Sequence, residues 1–167
     1  MPIHTTMLSI IAQYKPATPI ASILDVGCGT GRLLRALASR YPDAQLNGID
    51  PAEQMIHEAT KLHSHASFNV GPAEKLPYAD NTFDLVCSSI SFHHWADQAQ
   101  GLREIARVLR AGGMFCLADH TVHCARLFNE NVKNRRQVRE LLINAGFGII
   151  VQKRIWQRFV LINLAKK

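Results

Sequence analysis

The apolar positions of this chain change period repeatedly, and each change marks a switch between helix and strand. Met7, Ile10, Ile11 and Tyr14 recur at helical spacing and predict a short amphipathic helix ended near Pro16. Ser22-Ile-Leu-Asp-Val26 is a compact apolar run that breaks into glycines, the pattern of a buried strand. Leu33, Leu34, Leu37 and Ala38 restore the helical period up to Pro42, and Gln45 to Asp50 predicts a second strand. Met55, Ile56, Ala59 and Leu62 predict the next helix, with Pro51 in a first-turn position that needs no amide donor. Ser67 to Gly71 reads as a short third strand and Phe83 to Ser88 as a fourth. Leu102, Ile105, Ala106 and Leu109 form an i, i+3, i+4, i+7 stripe, after which Gly112-Gly113 is expected to turn the chain into a fifth strand, Met114 to Ala118. Val138, Leu141, Leu142 and Ala145 predict a last helix closed by Gly146 at C′. Two β-rich runs, 148–151 and 159–164, fit a terminal antiparallel pair.

Strands that alternate with helices make a parallel sheet, because parallel neighbours need crossover helices. Right-handed crossovers then wind the chain both ways. The expected fold is α/β: a doubly wound, mostly parallel seven-stranded sheet with helices on both faces. One domain is expected over 1–167, with a lead-in over 1–20, a binding core over 21–119, and a minimal lid, last helix and terminal strands over 120–167. Ligands in such sheets sit beyond the carboxyl ends of the strands, so chemistry is sought in the loops after strands one to four.

Composition narrows the class. A chain of 167 residues with 47% apolar content is enough for one buried core and excludes disordered and fibrous proteins. No run nears the roughly 20 apolar residues of a membrane span, and Met1 to Tyr14 shows neither a basic leader nor a small-residue cleavage site. A cytoplasmic location is expected. Cys28, Cys87, Cys116 and Cys124 form no CxxC pair, and the first three sit in apolar or glycine-rich segments, as buried free thiols do. His93, His94, His120 and His123 show no recognised ligand spacing, so no metal is expected. His57, His63 and His65 read as surface residues of a helix end, and Phe92 and Trp95 as packing residues. The net charge of +6 is uneven: residues 1–125 sum to −2, and residues 126–167 to +8, densest at Lys133, Arg135, Arg136 and Arg139. Such a surface suits nucleic acid or another acidic partner, and equally suits a solvated helix face.

The strongest chemical signal is Asp25-Val-Gly-Cys-Gly-Thr-Gly31, between the first strand and first helix. Gly27, Gly29 and Gly31 permit positive φ and let a ligand approach bare backbone, while the following helix aims its free amides at the same place. A dinucleotide fingerprint would need its third glycine at position 32, which is Arg32. Asp50, at the end of the second strand and about 20 residues beyond the loop, is placed to accept ribose hydroxyls, or to start the next helix. Loop and carboxylate together imply an adenosine-containing ligand.

Four segments in order carry a family resemblance: Asp25–Gly31; Gly48-Ile-Asp50 with Met55; Ala73-Glu-Lys-Leu-Pro-Tyr78 followed by Phe83-Asp-Leu-Val86; and Arg107-Val-Leu-Arg-Ala-Gly-Gly113. Over roughly residues 20–120 the chain resembles the class I S-adenosylmethionine-dependent methyltransferases, in the branch typified by enzymes of ubiquinone and menaquinone biosynthesis. The resemblance implies S-adenosylmethionine as cofactor and S-adenosylhomocysteine as product. It implies that Asp25 and the loop Gly27, Cys28, Gly29, Thr30 and Gly31 hold the methionine end, with Asp25 facing the ammonium group. It places Asp50 at the ribose, Pro51 and Met55 along one adenine face, the Ala73 amide at the adenine ring beside Pro72 and Glu74, and Ser89 near the reacting methyl. Pro72 stands where the family usually has Asp or Asn, and Ala111 where it commonly has Pro.

Methyl transfer from a sulfonium asks mainly for alignment and exclusion of water. A base is needed only where the acceptor must lose a proton, and His93 and His94, just after the fourth strand, are the candidates. His120 and His123 reach the same edge. The lid is short, since only residues 119–133 separate the fifth strand from the last helix. That fits an open site, a site completed by a second copy or a partner protein, or cofactor binding without turnover. The leading expectation is methyl transfer to O, N or C of a small metabolite. Alternatives are a non-catalytic cofactor-binding subunit and a methyltransferase for RNA or protein, the latter lacking an Asn-Pro-Pro-Tyr-type motif where Ser88-Ser-Ile-Ser91 stands. A nicotinamide oxidoreductase is disfavoured by Arg32.

Overall fold

A computed structural model describes residues 3–14, 19–63, 65–121, 132–155 and 160–167. Its elements are α1 (Ile3–Gln13), β1 (Ser22–Val26), α2 (Arg32–Arg40), β2 (Gln45–Asp50), α3 (Glu53–Leu62), β3 (Ala66–Val70) and β4 (Phe83–Ser89), followed by a 3₁₀ turn over Phe92–His94. Then come α4 (Gln98–Val108), β5 (Leu109–His120), α5 (Arg135–Asn144), β6 (Gly148–Ile155) and β7 (Val160–Lys166). The seven strands form one sheet in the order β3-β2-β1-β4-β5-β7-β6. The first five are mutually parallel, and β7 runs antiparallel to both β5 and β6.

Each face of the sheet closes a separate core. Leu24, Val26, Val86, Phe115, Leu117 and Leu161 pack against Leu102 and Ile105 of α4 and Val138 and Leu142 of α5. On the other face Ile23, Leu85, Cys87, Met114, Cys116 and Ile162 pack against Met7 and Ile11 of α1 and Leu34 and Leu37 of α2. β1 carries no exposed residue, because it is covered on both faces, which is why it reads as a compact, mainly apolar run broken only by Ser22 and Asp25. Helix starts follow their sequence signals. Asp97 caps α4 by accepting from the Gln100 amide at 2.9 Å, and Asn134 and Gln137 form a reciprocal capping box on α5.

The chain leaves β1 toward β2 and β3, then returns across the sheet to β4 on the other side of β1. That reversal opens a crevice above the carboxyl ends of β1 and β4.

Several sequence expectations shift. Pro51 lies two residues ahead of α3, whose N-cap is Ala52, because Asp50 Oδ1 accepts from the Ala52 amide at 3.0 Å and holds the chain extended there. The apolar stripe of α3 is only half used: Ile56 and Ala59 are buried, whereas Met55 and Leu62 are exposed. Leu109 opens β5 rather than closing α4, and Gly112-Gly113 lie inside that strand as an irregularity opposite β4. β3 starts at Ala66 and stops short of Gly71, and β6 runs on to Ile155, paired with β7 on both sides of a register shift between Ile149 and Val151. Gly146 is the C′ residue of α5, at φ +90°. Cys28, Cys87 and Cys116 are buried free thiols; Cys124, His123 and Phe159 lie outside the described residues. No helix of the described residues is long and apolar enough to cross a membrane, and no cluster among them could hold a metal ion.

Candidate functional site

The loop after β1 is folded back onto β2. Ile49 O accepts from both the Gly27 and Cys28 amides, at 2.8 and 3.1 Å, and Gly31 N donates to Cys28 O at 2.9 Å. Gly27 sits at φ +73°, and a Cβ there would run into the Ser91 side chain. Gly31 sits at φ +75°, and a Cβ would lie 2.6 Å from the His63 ring. Both positions therefore demand glycine twice over, by backbone sign and by space. His63 is the reason at Gly31: its Nε2 meets Thr30 O at 3.0 Å, so it is half-buried against the loop rather than a surface residue as its sequence suggests.

A cleft of about 600 Å³ opens above this loop. It brings together Asp25, Gly27, Cys28, Gly29, Thr30, Asp50, Met55, Ser89 and His94, along with His4, Arg32 and Ile90. Gly31 is buried beneath it. Pro51, Pro72, Ala73, Glu74 and His93 are not part of its lining. Pro51 and Pro72 are exposed, and Ala73 is buried beside Gly101. Glu74 accepts from the Asp97 amide at 2.9 Å, which ties its loop to the start of α4.

Polar groups in the cleft fall into two sets. Asp50 is committed on both oxygens, with Oδ2 accepting from Gly29 N at 2.9 Å and Oδ1 from Ala52 N. Each oxygen keeps a second lone pair for a hydroxyl donor. Asp25 Oδ1 and Ser89 Oγ are different. Both are buried and neither has a hydrogen-bond partner, a state that proteins tolerate where a ligand completes the pairing. Burial, with the Asp50 charge adding to it, pushes the Asp25 carboxyl up from its ordinary 3.8 to about 8. Burial likewise pushes the Cys28 thiol up, so it is no nucleophile.

The segment after β4 is strained. Ile90 holds φ +56°, a conformation costly for a β-branched residue, and is pinned by its amide donating to Ala118 O at 2.8 Å. This bend sets Ser91 under the loop, where its Oγ donates to Val26 O at 3.0 Å and lies 2.7 Å from Ser88 Oγ. It also launches the 3₁₀ turn that carries the two histidines. Asp119, at the end of β5 and only 7% exposed in its side chain, grips that turn: Oδ2 accepts from His93 N and Oδ1 lies on His93 Nδ1, both at 2.7 Å. The His120 amide also donates to Oδ1 at 2.7 Å. The His93 ring lies 4.0 Å from that of His94 and 5.4 Å from that of His120, centroid to centroid. A carboxylate oxygen accepting at Nδ1 sets the plane and orientation of the His93 ring. Sequence reading misses Asp119, Ser91 and His63. The signal for Asp119 is a charged residue closing an otherwise apolar strand.

Residues 24–117 match a family profile described as a methyltransferase domain. The chain is 40% identical over 91 residues to a demethylmenaquinone methyltransferase of Chlorobaculum parvum, covering 54% of this chain and 37% of that one. It is 32% identical over 152 residues to a malonyl-[acyl-carrier protein] O-methyltransferase of Dechloromonas aromatica, covering 84% and 56%. The chain thus spans well under two thirds of the length of these curated relatives. Among solved structures, a chain from the complex between the Haloferax volcanii Trm112 methyltransferase activator and a methyltransferase superposes with a TM-score of 0.81 at 23% identity, over 96% of this chain and 88% of that one. At that identity the likeness concerns the fold.

Proposed function

The chain belongs to the class I S-adenosylmethionine-dependent methyltransferases, and from that premise we propose that it catalyses methyl transfer to an O, N or C nucleophile of a small metabolite. The observation that carries this reading is the pair of unpartnered buried atoms, Asp25 Oδ1 and Ser89 Oγ, lining the same cleft as the positive-φ loop. An ammonium and a polar amino-acid end complete both, so the donor set fits the cofactor. Asp25 would take the ammonium of the methionine moiety, the Gly27–Gly31 backbone its carboxylate end, and Asp50 the ribose through its spare lone pairs. Met55 would cover one adenine face. Pro51, Pro72, Ala73 and Glu74 stand outside the cleft lining, and their part at the adenine would need the ligand to extend along the outer end of β2 and β3.

When bound, S-adenosylmethionine supplies an electrophilic methyl group on a positively charged sulfur. The chain supplies placement. Asp50 and the loop fix the donor end, Ser91 stops the loop from rising, and the Ile90 bend sets the histidine turn across from it. Where the acceptor loses a proton, His94, which lines the cleft, would take it, and His93, held by Asp119, would fix the His94 ring it packs against at 4.0 Å. His94, at the cleft wall, would contact the acceptor or donor directly.

Thermal unfolding with S-adenosylmethionine, S-adenosylhomocysteine and NAD tests the binding half: the first two should stabilise and NAD should not. Stabilisation by NAD alone would reverse the assignment. Asp119→Asn, which weakens the hold on the His93 ring, should slow labelled methyl transfer about 10²-fold with cofactor affinity unchanged. An undiminished rate would remove the histidine turn from catalysis. The likeness to a chain solved with an activator supports a second reading, in which a partner protein completes the short lid. Under it, transfer appears only when that partner is added, although the cofactor binds the chain alone.

A further inference from the structure

Beyond the cofactor cleft, the described surface holds a concave cluster that is strongly basic. Asn134, Arg135, Arg136, Arg139, Gln152 and Arg154 line a pocket of about 500 Å³ between the start of α5 and β6. No carboxylate lines it. Arg136 pairs outward with Glu140 at 2.8 Å, whereas Arg139 and Arg154 make no ion pair among the described residues.

Register places this pocket beside the histidine turn. Asp119 on β5 pairs with Leu161 on β7, which pairs with Arg154 on β6. Directly paired residues project from the same face, and strands stand about 4.8 Å apart, so the Arg154 backbone lies roughly 10 Å from that of Asp119 on the same face of the sheet. Leu117 and Leu161 confirm the face, since both pack toward α4 and α5. Ser89, in register with Ala118 on β5, is one strand further and, like Ala118, projects from the opposite face, so its backbone lies roughly 15 Å from that of Arg154 across the carboxyl edge of the sheet.

The pocket is also braced from below. Asn163, 1% exposed, accepts from Gln152 Nε2 at 2.7 Å. Gln152 in turn accepts from Arg135 Nε at 3.2 Å and donates to Arg135 O at 3.3 Å. A buried amide thus orients the glutamine that orients the guanidinium. Charges that only keep a surface hydrated need no such relay.

We propose that this pocket is a phosphate-binding subsite on the acceptor side of the sheet, holding a phosphate group of an acceptor long enough to reach the cofactor cleft. Guanidinium forks match phosphate oxygens in pairs, and Arg135, Arg139 and Arg154, with no carboxylate in the pocket lining, suit a dianion. The placement rests on reading the histidine turn as the acceptor edge; binding at the arginines does not.

The test uses the intact chain and inorganic phosphate as probe, with chloride at equal ionic strength as control and S-adenosylhomocysteine as a separate ligand. Phosphate should raise the unfolding temperature above the chloride control. Arg139→Gln with Arg154→Gln should weaken that response about tenfold or more while the S-adenosylhomocysteine response is kept. No phosphate effect, or an equal effect in the double variant, overturns the subsite. Absence of an S-adenosylhomocysteine response in the wild type would instead overturn the cofactor reading. A single-stranded RNA that binds with a steep salt dependence while inorganic phosphate has no effect would make the surface a polyanion track, which also overturns a discrete subsite. For the acceptor itself, labelled methyl transfer into a cell extract should vanish after phosphatase treatment of the extract. Transfer unaffected by that treatment overturns the assignment to the acceptor.

Discussion

Two buried aspartates on neighbouring strands live under opposite conditions. Asp84, on β4 near the amino end of the sheet, is saturated: Oδ2 accepts from Ala21 N, Ser22 N and Ser22 Oγ at 3.0, 2.9 and 2.8 Å, and Oδ1 from Arg110 at 2.7 Å. Burial pushes its carboxyl up, and the Ser22, Arg110 and Ala21 contacts outweigh that and hold it below its ordinary range. Asp25, on β1 toward the carboxyl end, has an oxygen with no donor and a carboxyl raised to about 8. The same residue type in the same sheet is a structural tie at one end and an unfilled valence at the other. A carboxylate whose donors are all supplied by the chain has been used by the fold; one left short is available to a ligand.

Breaking the saturated end should cost most. Asp84→Ala leaves buried donors of Ala21 and Ser22 without an acceptor, and we expect about 3 kcal/mol lost in urea unfolding, little of it from half-exposed Arg110. The folded variant should still bind S-adenosylhomocysteine normally. Asp25→Asn should do the reverse. Binding should weaken about thirtyfold, or about 2 kcal/mol, without loss of stability at neutral pH.

The pH response sharpens the contrast. Asp25 has a folded value above its unfolded 3.8, so its stabilising protonated state is lost as pH rises from 3.8 through about 8. Asp84 has a lowered folded value, so its contribution is fully present above the unfolded 3.8 and is lost as pH falls from there through the lowered folded value. Cofactor binding favours ionised Asp25, and affinity should rise about tenfold from pH 6.5 to 7.5, a slope that Asp25→Asn abolishes. The smallest effect is expected at Ser89→Ala, about fivefold in affinity, or roughly 1 kcal/mol, for one neutral hydrogen bond.

The saturated end and the open end were also unequally legible. β1 and β4 read directly from the chain, because strands covered on both faces need mainly apolar runs. The loop read as well, since Gly27 and Gly31 are forced by backbone sign. Side-chain ties across the sheet did not. Ser22 to Asp84, His93 to Asp119 and His63 to Thr30 join residues 62, 26 and 33 positions apart, and only the packing of the whole sheet and its helices brings them together. The start of β5 was misplaced because Leu109 continues the apolar stripe of α4, although its backbone is already extended.

Calorimetric titration with S-adenosylhomocysteine at pH 7, in two buffers of different ionisation heat, tests the central claim most directly. We expect the wild-type chain to release close to one proton per ligand bound, and Asp25→Asn to release none while binding more weakly. Absence of binding, or an equal proton count in both proteins, would contradict the placement of the cofactor's ammonium at Asp25.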